Sequence, residues 1–144
     1  IIIRTSWVFS SHGNNFVKTM MRLMKERDNL SIVADQQGRP TYAKDLALAT
    51  IQIIEQINAG KSFKGIYHYA NAGVTTWFGF AEKIKELAHL DCDLKPIDSD
   101  QFPTPAKRPN YSVLATQKLE DAMGLQIPNW EIALKECIQI IQKN

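Results

Sequence analysis

The sequence predicts an α/β protein in which short strands alternate with about five helices. Three observations carry that expectation. The chain opens with Ile1 to Phe9 (Ile-Ile-Ile-Arg-Thr-Ser-Trp-Val-Phe), an apolar run of the kind seen where a strand is buried on both faces of a parallel sheet. Several later segments repeat apolar residues at helical spacing between a capping residue and a stop signal. Short β-type runs stand between those segments. A parallel strand needs neighbours, and Ile1 to Ile3 are expected to find theirs in sequence that precedes them, so the chain reads as the second half of a larger unit.

The elements follow in order. Ser10 to Asn14 is a polar turn containing Gly13, and Asn14 or Asn15 caps a helix whose apolar positions Phe16, Met20, Leu23 and Met24 carry it to about Arg27. Leu30 to Val33 is a short strand, and Asp35 to Thr41 is a loop holding Gly38 and Pro40. Thr41 is expected to cap the next helix, with Leu46, Ala49, Ile53, Ile54 and Ile57 as its buried stripe before Gly60 closes it. Lys64 to Ala70 alternates as a strand does. Thr75 or Thr76 then caps a helix with Trp77, Phe80, Ala81, Ile84, Leu87 and Ala88 inward. Leu94 to Ile97 is another strand, followed by the longest loop, Asp98 to Asn110, stiffened by Pro103, Pro105 and Pro109. Prolines lower the entropy lost when such a loop orders, which suits a ligand-facing segment. Tyr111 to Leu114 returns to strand, Thr116 to Met123 is a small helix stopped by Gly124, and Asn129 caps a last helix with the stripe Ile132, Ala133, Cys137, Ile140 and Ile141.

Composition narrows the function classes. With 144 residues, 44% hydrophobic and 22% charged, the chain is an ordinary globular domain with room for a real core. A net charge of +2 excludes a nucleic-acid footprint, because Lys107-Arg108 is too small a cluster to form a basic face. Cys92 and Cys137 stand far apart and read as buried, idle thiols, and His12, His68 and His89 are too dispersed for a zinc site. No apolar run approaches the roughly 20 residues of a membrane span, and the start has no signal-peptide pattern, so no membrane partner and a cytoplasmic location are expected.

Four blocks stand in order: Arg4-Thr5-Ser6-Trp7-Val8-Phe9, Asp35-Gln36-Gln37-Gly38-Arg39-Pro40-Thr41-Tyr42-Ala43-Lys44-Asp45-Leu46-Ala47, Gly73-Val74-Thr75-Thr76-Trp77, and Phe102-Pro103-Thr104-Pro105-Ala106-Lys107-Arg108-Pro109-Asn110-Tyr111-Ser112. Together they resemble the dTDP-4-dehydrorhamnose reductases, a family within the extended short-chain dehydrogenase/reductases, over nearly the whole chain. One position departs from the family: Gly79 stands where a glutamate commonly answers the helix cap, which weakens a helix start. The resemblance implies the C-terminal part of a Rossmann-like fold, mostly its substrate-binding region. The parent activity it implies is reduction of the 4-keto group of dTDP-4-dehydro-L-rhamnose with NADPH or NADH, giving dTDP-L-rhamnose for cell-surface polysaccharide.

Two parts of that machinery are missing from the residues. A dinucleotide site needs a glycine-rich turn after a first strand, and the seven glycines here are scattered. The family's Tyr-x-x-x-Lys pair is also absent: Tyr42, Tyr67, Tyr69 and Tyr111 are followed four residues on by Leu46, Asn71, Gly73 and Ala115. Residues 1–144 are therefore expected to be the substrate-binding part alone, with the NAD(P)-binding part outside the chain. No catalytic residue is assigned, no cofactor is expected to bind, and the chain by itself is expected to lack reductase activity.

The resemblance assigns substrate contacts. Trp7 is similar to the residue that packs against the sugar of a nucleotide-sugar; the alternative is a core tryptophan beside Val8 and Phe9. Arg39 and Arg108 are candidates for the diphosphate, Arg108 foremost because it sits in the proline-braced loop, with Lys107 assisting. A solvated basic pair is the alternative for Lys107 and Arg108. Asn15 and Phe16 open a helix whose N–H groups favour an anion, though a cap and a core anchor explain them equally well. Gln36, Gly38 and Thr41 read as loop scaffolding, Asp45 as a partner of its helix dipole, and Trp77 and Trp130 as core. The partner is a dTDP-sugar, and the sheet edge at Ile1 to Ile3 is expected to permit self-association. Two other readings are another nucleotide-sugar epimerase or dehydratase of the same family, against which the Asp35-Gln36-x-Gly38-x-Pro40-Thr41 block speaks, and a binding protein like the regulatory subunit of methionine adenosyltransferase.

Overall fold

In the computed structural model, which describes residues 1–143, the opening apolar run forms two short strands, β1 (Ile2–Arg4) and β2 (Val8–Phe9). The break falls at Trp7, whose φ of 47° lies in the left-handed region and ends the extended run. β1 pairs in parallel with β6 (Ile66–His68), Ile3 opposite Tyr67, so the expectation that its partners must come from earlier sequence is corrected on one side. Burial on both faces is corrected as well. Ile3 packs inward while Ile1 and Ile2 are 50% and 58% exposed.

β2 pairs in parallel with β5 (Thr41–Tyr42), and β3 (Asn29–Val33) with β8 (Asp93–Ile97). β4 (Gln37–Gly38) runs antiparallel to β7 (Thr75–Thr76). The expected loop from Asp35 to Thr41 thus holds two small strands, and the strand expected at Tyr111 to Leu114 shrinks to a single bridge between Tyr111 and Gln37.

The first helix, α1 (Phe16–Glu26), starts on Asn15, whose Oδ1 accepts from the Lys18 N–H at 3.3 Å. α2 (Ala43–Asn58) starts differently: Thr41 is buried in β5 with its Oγ1 accepting from Thr5, and Tyr42 takes the cap position with no side-chain bond. Its stripe is also narrower than expected. Ala49 and Ile53 are buried with Leu46 partly so, while Ile54 and Ile57 face outward with Leu48 and Ile51. α3 (Trp77–Ala88) is capped by Thr76, whose Oγ1 accepts from the Gly79 N–H at 3.0 Å; half of the capping exchange survives without the glutamate. α4 (Gln117–Met123) stops at Gly124, φ 65°. α5 (Trp130–Lys143) starts where Asn129 Oδ1 accepts from the Glu131 N–H at 2.8 Å. Its inner face is Trp130, Ala133, Leu134, Cys137 and Ile138; Ile132, expected inward, is 69% exposed because it lies off that i, i+3, i+4, i+7 stripe.

Two clusters form the core. α1, α3, α5 and β3 enclose Val17, Met20, Ile32, Phe80, Ile84 and Leu134 with Phe9 and Tyr42; α2, α4 and β6 enclose Ala49, Ile53, Tyr67, Leu119 and Met123. Cys92 and Cys137 are both buried, and burial pushes the Cys137 thiol up to about 12 and the Cys92 thiol upward in the same direction. An unfolded thiol ionises near 8.5, so the stability these protonated groups supply is full below about pH 8.5 and is lost as pH rises toward the folded value. At pH 8 a disulfide-exchange reagent is expected to titrate neither thiol in the folded protein and both in denaturant. Rapid labelling of the native protein would contradict their burial.

Candidate functional site

The proline-rich loop is held at both ends by the segment that carries Asp35 to Gly38. The Asp35 carboxylate accepts from the Ser99 N–H at 3.1 Å and the Ser99 hydroxyl at 2.7 Å, and these bonds hold its acidity below the ordinary aspartate value. At the far end the Gln37 N–H donates to Asn110 O at 2.7 Å, while Gln37 O accepts from the Ser112 N–H and hydroxyl at 2.9 and 3.0 Å. Residues 101–110, between the two anchors, are exposed.

Beneath this loop lies a cleft of about 390 Å³ lined by Ser6, Trp7, Gln36, Trp77, Arg108, Pro109 and Ser112. Three stretches meet there: the break between β1 and β2, the residues after β3, and the first residue of α3. Trp7 and Trp77 stack with ring centroids 3.7 Å apart and planes 12° apart. The Trp7 carbonyl accepts from the Thr41 N–H at 3.1 Å, and the Ser6 hydroxyl donates to Arg39 O at 3.1 Å, which fixes the turn that carries Trp7. The lining offers flat aromatic surface, two hydroxyls, one amide and one guanidinium. Arg108 is its only ionisable side chain, so this set suits holding a ligand with an apolar face and an anionic group rather than moving a proton.

Of the residues expected at the site, Trp7 and Arg108 meet in this cleft. Lys107 is exposed on the loop beside Arg108 and does not line it. Phe16 lies behind the stack, its ring 4.7 Å from Trp77 and 5.4 Å from Phe80. Asn15 is occupied as a cap, its Nδ2 also donating to Ser10 O at 2.7 Å. Arg39, between β4 and β5, does not line the cleft: its Nη1 donates to Leu114 O and Thr116 Oγ1, both at 3.0 Å, tying down the start of α4. Trp130 is buried as expected, 5.5 Å and edge-on to Phe80, whereas Trp77, read as core, is only partly buried and walls the cleft. The exposed face of Trp77 and the amide of Gln36 are what the sequence reading missed; a tryptophan at a helix start carries no sign of which way it faces.

A larger, shallower concavity of about 600 Å³ between α3 and β8 is lined by Glu82, Glu86 and Asp93 with Lys85 and His89. Three carboxylates make it a poor place for a phosphate. Among the described residues no group of His, Cys, Asp and Glu could hold a metal ion, and no helix is long and apolar enough to cross a membrane. The dinucleotide implied by the sequence resemblance does not fit these residues. The strand–turn–helix unit from β2 to α1 has a single glycine, Gly13, in place of a glycine-rich turn, and the Asn15 side chain takes one of the N–H groups at the helix start, that of Lys18.

Residues 1–143 match the family described as the RmlD substrate binding domain. The chain is 45% identical to a dTDP-4-dehydrorhamnose reductase of Aggregatibacter actinomycetemcomitans over 94% of its own length and 48% of that relative. It superposes on a dTDP-4-dehydrorhamnose reductase structure from Clostridium acetobutylicum with a TM-score of 0.90 and 40% identity, covering 98% of this chain and 48% of that one. A second, from Bacillus anthracis in complex with NADP, gives a TM-score of 0.85 and 41% identity, covering 96% and 47%. The chain spans about half the length of the curated relatives it matches.

Proposed function

The chain belongs to the RmlD substrate-binding domain family, and from that premise we propose that it is the sugar-holding part of a dTDP-4-dehydrorhamnose reductase. In this reading the whole protein reduces dTDP-4-dehydro-L-rhamnose to dTDP-L-rhamnose with NADPH, toward surface polysaccharide. The observation that carries it is the meeting of Trp7 and Arg108 in one cleft. A partly exposed indole supplies an apolar surface and an N–H for a hexose, and a guanidinium at the rim grips a diphosphate through two parallel hydrogen bonds. Ser6, Gln36 and Ser112 add the polar partners that fix orientation. The absence of an acid–base group from the lining supports a division of labour: these residues hold the substrate, and hydride and proton donors belong to other polypeptide.

The full-length protein that carries this chain is expected to oxidise NADPH only when dTDP-4-dehydro-L-rhamnose is supplied. By calorimetry it should bind dTDP-L-rhamnose at least about tenfold tighter than a uridine-diphosphate sugar. Equal affinity for the two nucleotides, or NADPH oxidation that ignores the thymidine sugar, would sink the assignment.

A further inference from the structure

We infer that Trp77 is a positioning residue for the sugar end of this cleft, clamping the Trp7 indole against the strand that carries Gly38. The inference rests on the nucleotide-sugar reading of the cleft and adds a second tryptophan to it. Trp7 has a backbone that a bulky L-residue rarely adopts, φ 47°, and such a conformation persists only where its surroundings hold it. The surroundings here form a clamp. On one side Trp77 stacks on the indole at 3.7 Å; on the other, Gly38 comes so close that a Cβ on it would lie 2.5 Å from Trp7 Cε2 and 2.6 Å from Cζ2.

Both jaws come from one piece of secondary structure. Gly38 pairs with Thr75 across β4 and β7, and β7 runs directly into Trp77 at the start of α3. The antiparallel register therefore sets the gap into which the Trp7 ring fits. Phe16 braces the outer jaw at 4.7 Å and is itself stacked on the buried Phe80, so the clamp is anchored to the core. A tryptophan serving only the core would be enclosed, yet Trp7 and Trp77 are both partly exposed and both line the cleft. Trp77 takes one face of Trp7 and Gly38 closes on the ring from the other side over Cε2, Cζ2 and Nε1, which leaves the exposed edge of the indole for the hexose, already oriented before the ligand arrives.

The test uses the full-length protein with dTDP-L-rhamnose and dTDP as probes, binding measured by calorimetry and the indole pair by its exciton couplet in circular dichroism. Trp77→Leu is expected to abolish the couplet and to weaken dTDP-L-rhamnose binding by roughly three- to tenfold, with dTDP held within about twofold. Trp77→Phe, which keeps a ring to stack on, should restore much of the sugar affinity. Gly38→Ala should reproduce the loss from the opposite jaw with Trp77 intact, and it serves if the leucine variant is poorly folded. Wild-type affinity for dTDP-L-rhamnose in both Trp77→Leu and Gly38→Ala, or equal losses for both probes, would overturn the clamp. A wild-type protein that binds neither probe overturns instead the site reading beneath it, while its couplet still reports on the stack.

Discussion

Asn71→Ala is expected to destabilise the fold by about 2–4 kcal/mol, a large share of the stability of a domain this size. Asn71 is fully buried and polar, and it joins three parts of the chain. Its Oδ1 accepts from the Tyr42 N–H at 2.8 Å, at the start of α2; its Nδ2 donates to Asp45 at 2.6 Å in the first turn of α2 and to Pro128 O at 3.2 Å just before α5. Tyr42 belongs to one core cluster and α2 to the other, so this amide ties the two together. Alanine leaves the Tyr42 N–H and the Pro128 carbonyl without their partner, and an unsatisfied buried group costs about 1–3 kcal/mol where the bond itself contributed about 1. Asn71→Asp offers no rescue, since it sets a second carboxylate against Asp45. Urea unfolding checks this: a lower midpoint at an unchanged slope is expected, and a loss below about 1 kcal/mol would show that the junction tolerates the missing amide.

That residue also shows where the sequence stopped being readable. Asn15, Thr76, Gly124 and Asn129 announce their helix ends because capping is local chemistry, settled by a side chain and the next few N–H groups. Asn71 is one amide after a short strand, and its three partners lie far from it in sequence, so no pattern marks it. The α2 stripe failed for a different reason. Leu48, Ile51 and Ile54 make a second apolar face beside Leu46, Ala49 and Ile53, and periodicity alone cannot say which face turns inward. In α5 the stripe was read from Ile132, although the run that begins at Trp130 keeps helical spacing better.

The site divides along the same line. Trp7 and Arg108 were legible because each sits in a block resembling a known family, and the structure brings those blocks to one cleft. The Trp7–Trp77 stack was not, since it depends on the left-handed backbone at Trp7 and on the β4–β7 register, neither of which a residue pattern displays. Arg39 was itself a candidate for the diphosphate but points to α4; it lies in the two-residue connection between β4 and β5, where no alternation tells which way a side chain turns.

Arg108→Ala is expected to weaken dTDP-L-rhamnose binding by roughly 10- to 100-fold while leaving the unfolding midpoint where it was. The binding effect follows from charge-assisted hydrogen bonds worth about 1.5–3 kcal/mol, at about 1.4 kcal/mol for each factor of ten. The lack of a stability effect follows from position: Arg108 is exposed on the loop, and its guanidinium enters no hydrogen bond or ion pair among the described residues. Arg108→Lys keeps the charge but loses the planar fork, so it should fall between the two, whereas a site that needed only positive potential would find lysine sufficient. Lys107→Ala, one residue away and outside the lining, should cost no more than a few-fold and mainly at low salt, because an exposed charge acting at a distance is screened within about 10 Å at 0.1 M ionic strength. Calorimetric titration of the full-length variants at two salt concentrations separates these cases. If Arg108→Ala binds within about twofold of wild type, the proline-braced loop does not grip the diphosphate, and the anionic end of the ligand must be sought elsewhere on the cleft.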